Sequence, residues 1–543
     1  MSLKGTDEAQ HVEQISAKTF GNVRLRNLET NEIILIPTPS KDPNDPLNWS
    51  QAFKYYIASV ICLAMMMCNF LAAGPTIAII STTQDFFEGA SPATDVGYYI
   101  DSISKVSYFF TTTSLLQGLG NFFWVPIANK YGRRPTYIIS YVIYLACGIW
   151  LCYERSYYGF LVGRIIMGFG AGAAETIAPI TISDIFFLHE RGAVMGFYTA
   201  FLSAGVTGGM LVSGLITINH TWRTIYQVAS ALIGFVLLLA IFTFPETAYI
   251  RRQPENSESI ASKTEVSEKS LAATHDTERL EPAIPAKQSY LESLKIFHQT
   301  LTTENLLKLI ARPIGLICLP PVLWAALVQA VTIGFLVAVT SNVDVAFNET
   351  YGFKSWQVGL CFISGIIGAL LGIPAGGQLG DKVADWFTKR NGGVRDPEMR
   401  LPAMLPSVIT TPLALILYGV GIEHKLHWMV PTVGLGLLNF SITQATNICL
   451  VYVIDAYRPV AGEITLAVMG FKALFGFLLS FYTNPWVKQS GYQNAYGMMA
   501  AMSAVVLLMG APLYLWGKRI RHVSWKWPVI SYIHWHADRE VGE

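Results

Sequence analysis

Long apolar runs alternate with short polar stretches all the way from Tyr55 to Trp516. About twelve runs approach the roughly twenty residues that an α-helix needs to cross a bilayer. They are Tyr55–Ile80, Gly97–Val125, Thr136–Cys152, Tyr157–Ile182, Gly192–Ile216 and Trp222–Phe244, then Pro313–Thr340, Trp356–Leu379, Leu401–Ile422, Trp428–Ile454, Gly462–Trp486 and Ala495–Trp516. A soluble fold cannot cover so many helices that are apolar all round. The pattern predicts an all-α integral membrane protein with twelve transmembrane helices in two six-helix, pseudo-symmetric halves. Residues 1–54 are an N-terminal segment, 55–244 the first bundle, 245–312 a linker, 313–516 the second bundle and 517–543 a tail.

The polar stretches set organisation and orientation. The linker mixes Glu255, Glu258, Lys263 and Glu265 with Ser257, Ser259 and Ser262, and has no apolar periodicity before Leu291. That composition reads as mobile chain. Loops on one side hold Lys130, Arg133, Arg134, Arg191, Lys382, Lys389, Arg390, Arg395, Arg400 and Arg458. Opposite loops hold Arg155, Arg223, Lys354, Lys425 and Lys488. The basic side is expected to be cytoplasmic, with both termini and the linker. The sequons at Asn219 and Asn348 then face outward, where a glycan can be added, whereas Asn48 faces the cytosol.

Composition narrows the class. Hydrophobic residues make up 52% of the 543 and charged residues only 14%, about half the charge of a soluble domain. Mean hydropathy is +0.40. A net charge of +1 offers no field for nucleic acid. The 7 cysteines fall in apolar segments without metal or redox spacing. The N-terminus lacks a basic-then-apolar start, so no cleavable signal peptide is expected. No metal, cofactor or catalytic signature is visible, so an enzyme is not expected.

The turn Val125–Pro126–Ile127–Ala128–Asn129–Lys130–Tyr131–Gly132–Arg133–Arg134–Pro135 resembles the loop signature of the major facilitator superfamily between spans two and three. A degenerate copy, Gly377–Gln378–Leu379–Gly380–Asp381–Lys382, stands between spans eight and nine, as duplication of a six-helix unit implies. Gly163–Arg164 with Gly168, Gly170 and Gly172 is similar to the family's fourth-helix motif. Ser183–Asp184 through Arg191–Gly192, Asp45–Pro46–Leu47–Asn48–Trp49 and Phe244–Pro245–Glu246–Thr247 resemble the fungal drug:proton antiporter group. Fungal polyamine and organic-cation importers look similar over the same regions. The resemblance implies gate roles for Asn129, Gly132, Arg133, Arg134 and Asp381. The chain departs from it in two places. In the loop signature Val125 stands where the family has Gly and Asn129 where it has Asp, so the gate contact of Asn129 is uncharged, and Gly205–Val206–Thr207–Gly208–Gly209 in span five lacks the antiporters' Gly-Pro pair.

A charge in hydrocarbon costs at least about 2.5–3.5 kcal/mol, so each one needs a reason. Glu175 and Arg164 lie eleven residues apart, about 20° around the helix and roughly 16 Å along it. Glu175 is a candidate proton carrier or cation site with Arg164 as a tuning charge; the alternative is a purely structural interhelical pair. Lys472, in span eleven, needs a carboxylate from another helix or a wet cavity. Asp101 and Lys105, four apart, can neutralise each other. Asp184, His189, Asp455 and Glu463 stand near span ends, as gate or capping residues.

The resemblance implies a cavity lined by spans one, four, seven and ten. Asn69 and Thr76 would come from span one, Gln329 and Thr332 from span seven, and the stripe Asn439, Thr443 and Asn447, with Gln444 beside it, from span ten. Trp324, Tyr108 and Tyr198 would add aromatic surface. Aromatic and amide groups with few charges suit a small amphipathic organic solute. The expectation is a monomeric, proton-coupled exporter of a toxin, drug or secondary metabolite in the cell membrane, with the vacuolar membrane as the other location. The alternative is proton-driven uptake of an organic cation such as a polyamine.

Overall fold

The computed structural model describes residues 23–24, 39–40, 42–89, 96–249, 289–295, 301, 305–457 and 460–527. Most of the N-terminal segment, most of the linker and the end of the tail, Trp527 excepted, lie outside them. Among the described residues, ten helical stretches are long and apolar enough to cross a membrane. The last, Ala461–Ser524, is two spans, because Gly491 sits at φ 79° and reverses the backbone. The hydroxyl-rich helix Val96–Leu119 completes twelve.

The first span runs Gln51–Ala73, tightens into a 3-10 turn at Gly74–Ala78 around Pro75, and resumes over Ile79–Phe86. Span two is Val96–Leu119, continued towards the basic side by Asn121–Tyr131. Spans three to six are Arg133–Tyr153, Tyr157–Ile185, Leu188–Ile216 and Arg223–Thr243. Span seven begins at Pro320, opens into a π turn at Ala330–Gly334, and continues to Tyr351. Hydropathy had placed it at Pro313–Thr340. Its first residues belong instead to a separate helix, Leu306–Leu316, and the real span reaches three turns further.

Span eight is Ser355–Gly376 in two pieces, followed by the amphipathic helix Gln378–Arg390. Spans nine and ten are Leu405–Glu423 and Met429–Ala456. Span eleven ends at Gly491, and span twelve runs on through Gly510–Ser524. The tail sequence around Lys518–Arg521 continues that helix. Arg521 turns inward to a bidentate contact with Glu398, at 2.7 and 3.0 Å.

The halves meet along two seams, one of span five on spans eight and ten, the other of span two on span eleven. Span five touches span eight at both ends. On the basic side a Cβ on Gly196 would stand 3.3 Å from the Ile373 carbonyl oxygen, and beyond the end of span eight Gly192 abuts Asp381 and Arg400. On the opposite side Gly214 and Gly359 bring the backbones so close that a Cβ on Gly214 would stand 3.2 Å from the Gly359 Cα. Small residues permit such approach in lipid, where packing rather than the hydrophobic effect joins helices. Tyr108 stacks on Phe481 at 5.0 Å across the other seam.

Candidate functional site

Between the halves lies a cavity with about 710 Å3 of empty space, its mouth included. Spans one, two, four, five, seven, ten and eleven line it. Leu202, Val206, Ile333, Val337 and Ile442 give it apolar walls, and Asn69, Ser114, Gln117, Glu175, Thr340 and Lys472 supply polar groups. Both irregular turns adjoin it: Ala73 precedes the 3-10 turn, and Ile333 and Gly334 belong to the π turn. Such turns occur at membrane depth where the backbone lines a cavity or is buried in protein.

Glu175 and Lys472 meet here. The Lys472 ammonium donates to Glu175 Oε1, and the two side chains are only 9% and 4% exposed, respectively. Span four thus joins span eleven, one half to the other, by an ion pair in the centre of the molecule. Gln117 holds the other carboxylate oxygen: its Nε2 donates to Glu175 Oε2 at 3.3 Å and to Asn69 Oδ1 at 3.2 Å. Tyr198 donates to the Glu175 backbone carbonyl at 2.7 Å. The carboxylate is therefore charge-paired from span eleven and held from span two, while span five fixes the backbone beneath it.

Other expected residues stand elsewhere. Arg164 is fully buried, but its guanidinium donates to the carbonyls of Phe109, Leu71 and Ala72 at 3.0, 2.9 and 3.3 Å and lies over the Phe110 and Tyr226 rings. It secures the carbonyls that precede the break in span one and does not line the cavity. The stripe on span ten also faces away from the cavity. Asn439 Oδ1 accepts from Ser203 at 2.6 Å, the Thr443 carbonyl accepts from Thr199 at 3.1 Å, and Asn447 donates to the Gly192 carbonyl at 3.3 Å. All three join span ten to span five. A polar repeat every four residues defines a helix face but not its neighbour, and here Ile442, about 100° from Thr443, faces the cavity instead. Gln329 is buried off the cavity, with neither amide atom hydrogen-bonded among the described residues. Of the expected cavity residues, Asn69 lines it.

The loop signatures form two polar clusters on the basic side. Gly132 adopts φ 108°, and Glu246 fills the space where its Cβ would stand. Glu246 accepts from the amides of Arg133 and Arg134, at 2.8 and 3.2 Å. Arg133 reaches Asp184 at 3.1 Å and Asn129 at 2.9 Å. Arg134 donates to the last carbonyls of span six, Ala240, Ile241 and Phe244, a cation at a helix C-terminus. Asn129 lies beside Gly462, at the start of span eleven. In the second cluster Arg400 donates to Asp381 at 2.7 Å, with Arg395 at 3.8 Å. Burial and the neighbouring Arg400 hold Arg395 below the usual guanidinium value. Arg191 and Asp455 pair across the halves at 3.8 Å.

Sequence reasoning missed Gln117 and Asp344. Gln117 was visible as an amide in mid-span, hidden among the hydroxyls of Thr111, Thr112, Thr113 and Ser114. Asp344 lies beyond Thr340, where the apolar run of span seven stops, yet it stands in the helix, 3% exposed. Asp101 and Lys105 do pair, at 2.7 Å, but half in the open, where such a pair contributes little.

The family model of the Major Facilitator Superfamily matches residues 57–462. An uncharacterized MFS-type transporter of Schizosaccharomyces pombe is 23% identical, over 92% of this chain and 89% of its own length. The "Probable drug/proton antiporter YHK8" of Saccharomyces cerevisiae is 24% identical over 89% and 88%, and the "Probable efflux pump mfs2" of Aspergillus flavus 24% over 77% and 95%. Among solved structures, the human organic anion transporter MFSD10 aligns with a TM-score of 0.55 at 15% identity, over 84% of this chain and 99% of that one. The proton:xylose symporter XylE aligns at 0.57 and 14%, over 85% and 96%. Twelve spans in two halves among the described residues, a central cavity between them, a duplicated loop signature and a family model spanning both halves have one reading. The chain belongs to the major facilitator superfamily, a family of membrane transporters and not of enzymes.

Proposed function

We propose that the protein couples proton entry to export of a small amphipathic organic solute by alternating access. The observation that carries this is the Glu175–Lys472 pair, a titratable contact between the halves inside the cavity. Ionised Glu175 binds Lys472 and ties span four to span eleven. A proton on Glu175 discharges the pair, releases Lys472 and removes an attraction that opposes rocking of the halves. Solute occupying the cavity competes for the same space, so proton and solute exchange across one site. Apolar walls with amide and hydroxyl groups suit an organic body with a few polar atoms.

The membrane is the cell membrane, with the basic side and both termini in the cytosol. Gly192, Asp381, Arg400 and Arg191–Asp455 then form the inner closure, and Gly214–Gly359 with Tyr108–Phe481 the outer one. Comparison of medium and cell extracts from cells carrying wild-type protein, Glu175→Gln or no protein tests this reading. Export predicts compounds enriched in the medium with wild type only. Enrichment inside the cells would reverse the direction, and full activity of Glu175→Gln would remove the proton coupling.

A further inference from the structure

Asp344 is a buried carboxylate that the coupling step leaves unused. It lies on span seven, four residues past Thr340 and seven past Val337, both of which line the cavity. At about 100° per residue the offsets are roughly 40° and 20°, so the cavity-facing stripe runs on to Asp344 about one turn further out. Its side chain is 3% exposed, and neither carboxylate oxygen accepts a hydrogen bond from any described residue. Ser355 lies beside it without reaching hydrogen-bond geometry. Tyr99 of span two, on the opposite half, is within electrostatic range. Among the described residues no Lys or Arg pairs with it.

The contrast with the other buried acids is sharp. Glu175 has Lys472, Glu398 has Arg521, and Glu463 has Arg312. Glu175 and Lys472 cancel, which leaves Asp344 as a carboxyl with no counter-ion among the described residues on the proposed outer side of the cavity. A buried carboxylate without donor or counter-ion is unfavourable and calls for a cation from elsewhere. The adjoining walls, Leu202, Val206, Ile333, Val337 and Ile442, accept an apolar body.

We infer that the solute is cationic, an apolar body with a protonated amine, and that Asp344 binds the ammonium group at the outer end of the cavity. The inference rests on the cavity being the solute site. Amphipathic anions and neutral compounds of equal shape are poor ligands, because they leave Asp344 unpaired.

The test uses full-length protein in lipid nanodiscs and two probes of matched shape, 2-naphthylethylamine and 2-naphthylethanol, titrated by intrinsic fluorescence. The amine binds wild type at least about tenfold more tightly than the alcohol, the scale of one charge-assisted hydrogen bond. Asp344→Asn abolishes that preference without changing alcohol binding, and Asp344→Glu retains it. Equal binding of both probes by wild type, or an amine preference that survives Asp344→Asn, overturns the inference. Should Asp344→Asn not fold, the wild-type contrast decides alone. Glu175→Gln separates the two readings: amine preference intact with transport lost upholds both, whereas intact transport overturns the coupling reading and leaves this one standing.

Discussion

Lys472→Met would leave the Glu175 carboxylate in the middle of the membrane with Gln117 as its remaining side-chain donor. Both members of the pair are nearly sealed from solvent, so screening does not soften the loss. Removing one partner of a buried pair costs about 3–5 kcal/mol. For a body the size of one six-helix half, each kcal/mol moves the melting midpoint by roughly 2–4 °C, which gives a fall of roughly 6–20 °C. Glu175→Gln alone strands the Lys472 ammonium and has a similar cost. The double variant Glu175→Gln/Lys472→Met strands neither charge. Melting of all four proteins in nanodiscs, followed by tryptophan fluorescence, closes a double-mutant cycle. The expected coupling energy is at least about 2 kcal/mol, with the double variant more stable than either single one. Proteoliposome flux stays lost in the double variant, since no proton acceptor remains at the contact between spans four and eleven. Additive losses would show that the pair contributes nothing as a pair and would refute the central contact of the mechanism.

Three further outcomes are expected. In Gly192→Ala the new Cβ would stand 2.3 Å from Asp381 Oδ1 and 2.7 Å from the Arg400 guanidinium; overpacking of about 1–3 kcal/mol forces the basic-side closure open, read as faster thiol labelling of a cysteine at Asn447. Asn129→Asp places a negative charge at the N-terminus of span eleven, beside Gly462, and stabilises closure by about 0.3–1 kcal/mol, read as slower labelling of that cysteine. Asn219 lies in an exposed turn, whereas Asn348 is in the last turn of a helix with its amide bonded to the Phe353 carbonyl at 3.0 Å. Asn219→Gln should therefore remove the glycan shift on a gel and Asn348→Gln should leave it.

The helices were legible because bilayer thickness dictates their length, and the loop signatures because they gather charge at fixed spacing. Glu175 and Lys472 each stood out as a charge without a neighbour on its own helix. Their union was not legible: 297 residues separate them, and only the way the halves face each other makes them partners. The Asn439 stripe misled for the same reason, since periodicity gives a face and packing chooses what it meets. Asp344 escaped because Ser341 and Asn342 interrupt the apolar run while the helix continues to Tyr351. Hydropathy reports what lipid accepts, and backbone hydrogen bonding reports where a helix stops. The two diverge where a span rises into a polar mouth.

The backbone contact of Gly214 with Gly359 divides the molecule into territories of unequal evolutionary freedom. Any side chain larger than hydrogen on that line meets main-chain atoms that have nowhere to retreat. Adaptation to an unfamiliar compound has to proceed through Leu202, Val206, Ile333 and Ile442, whose bulk can be traded without disturbing how the halves slide. Variants selected for a widened range of cargo should accumulate on those walls and spare the glycine track.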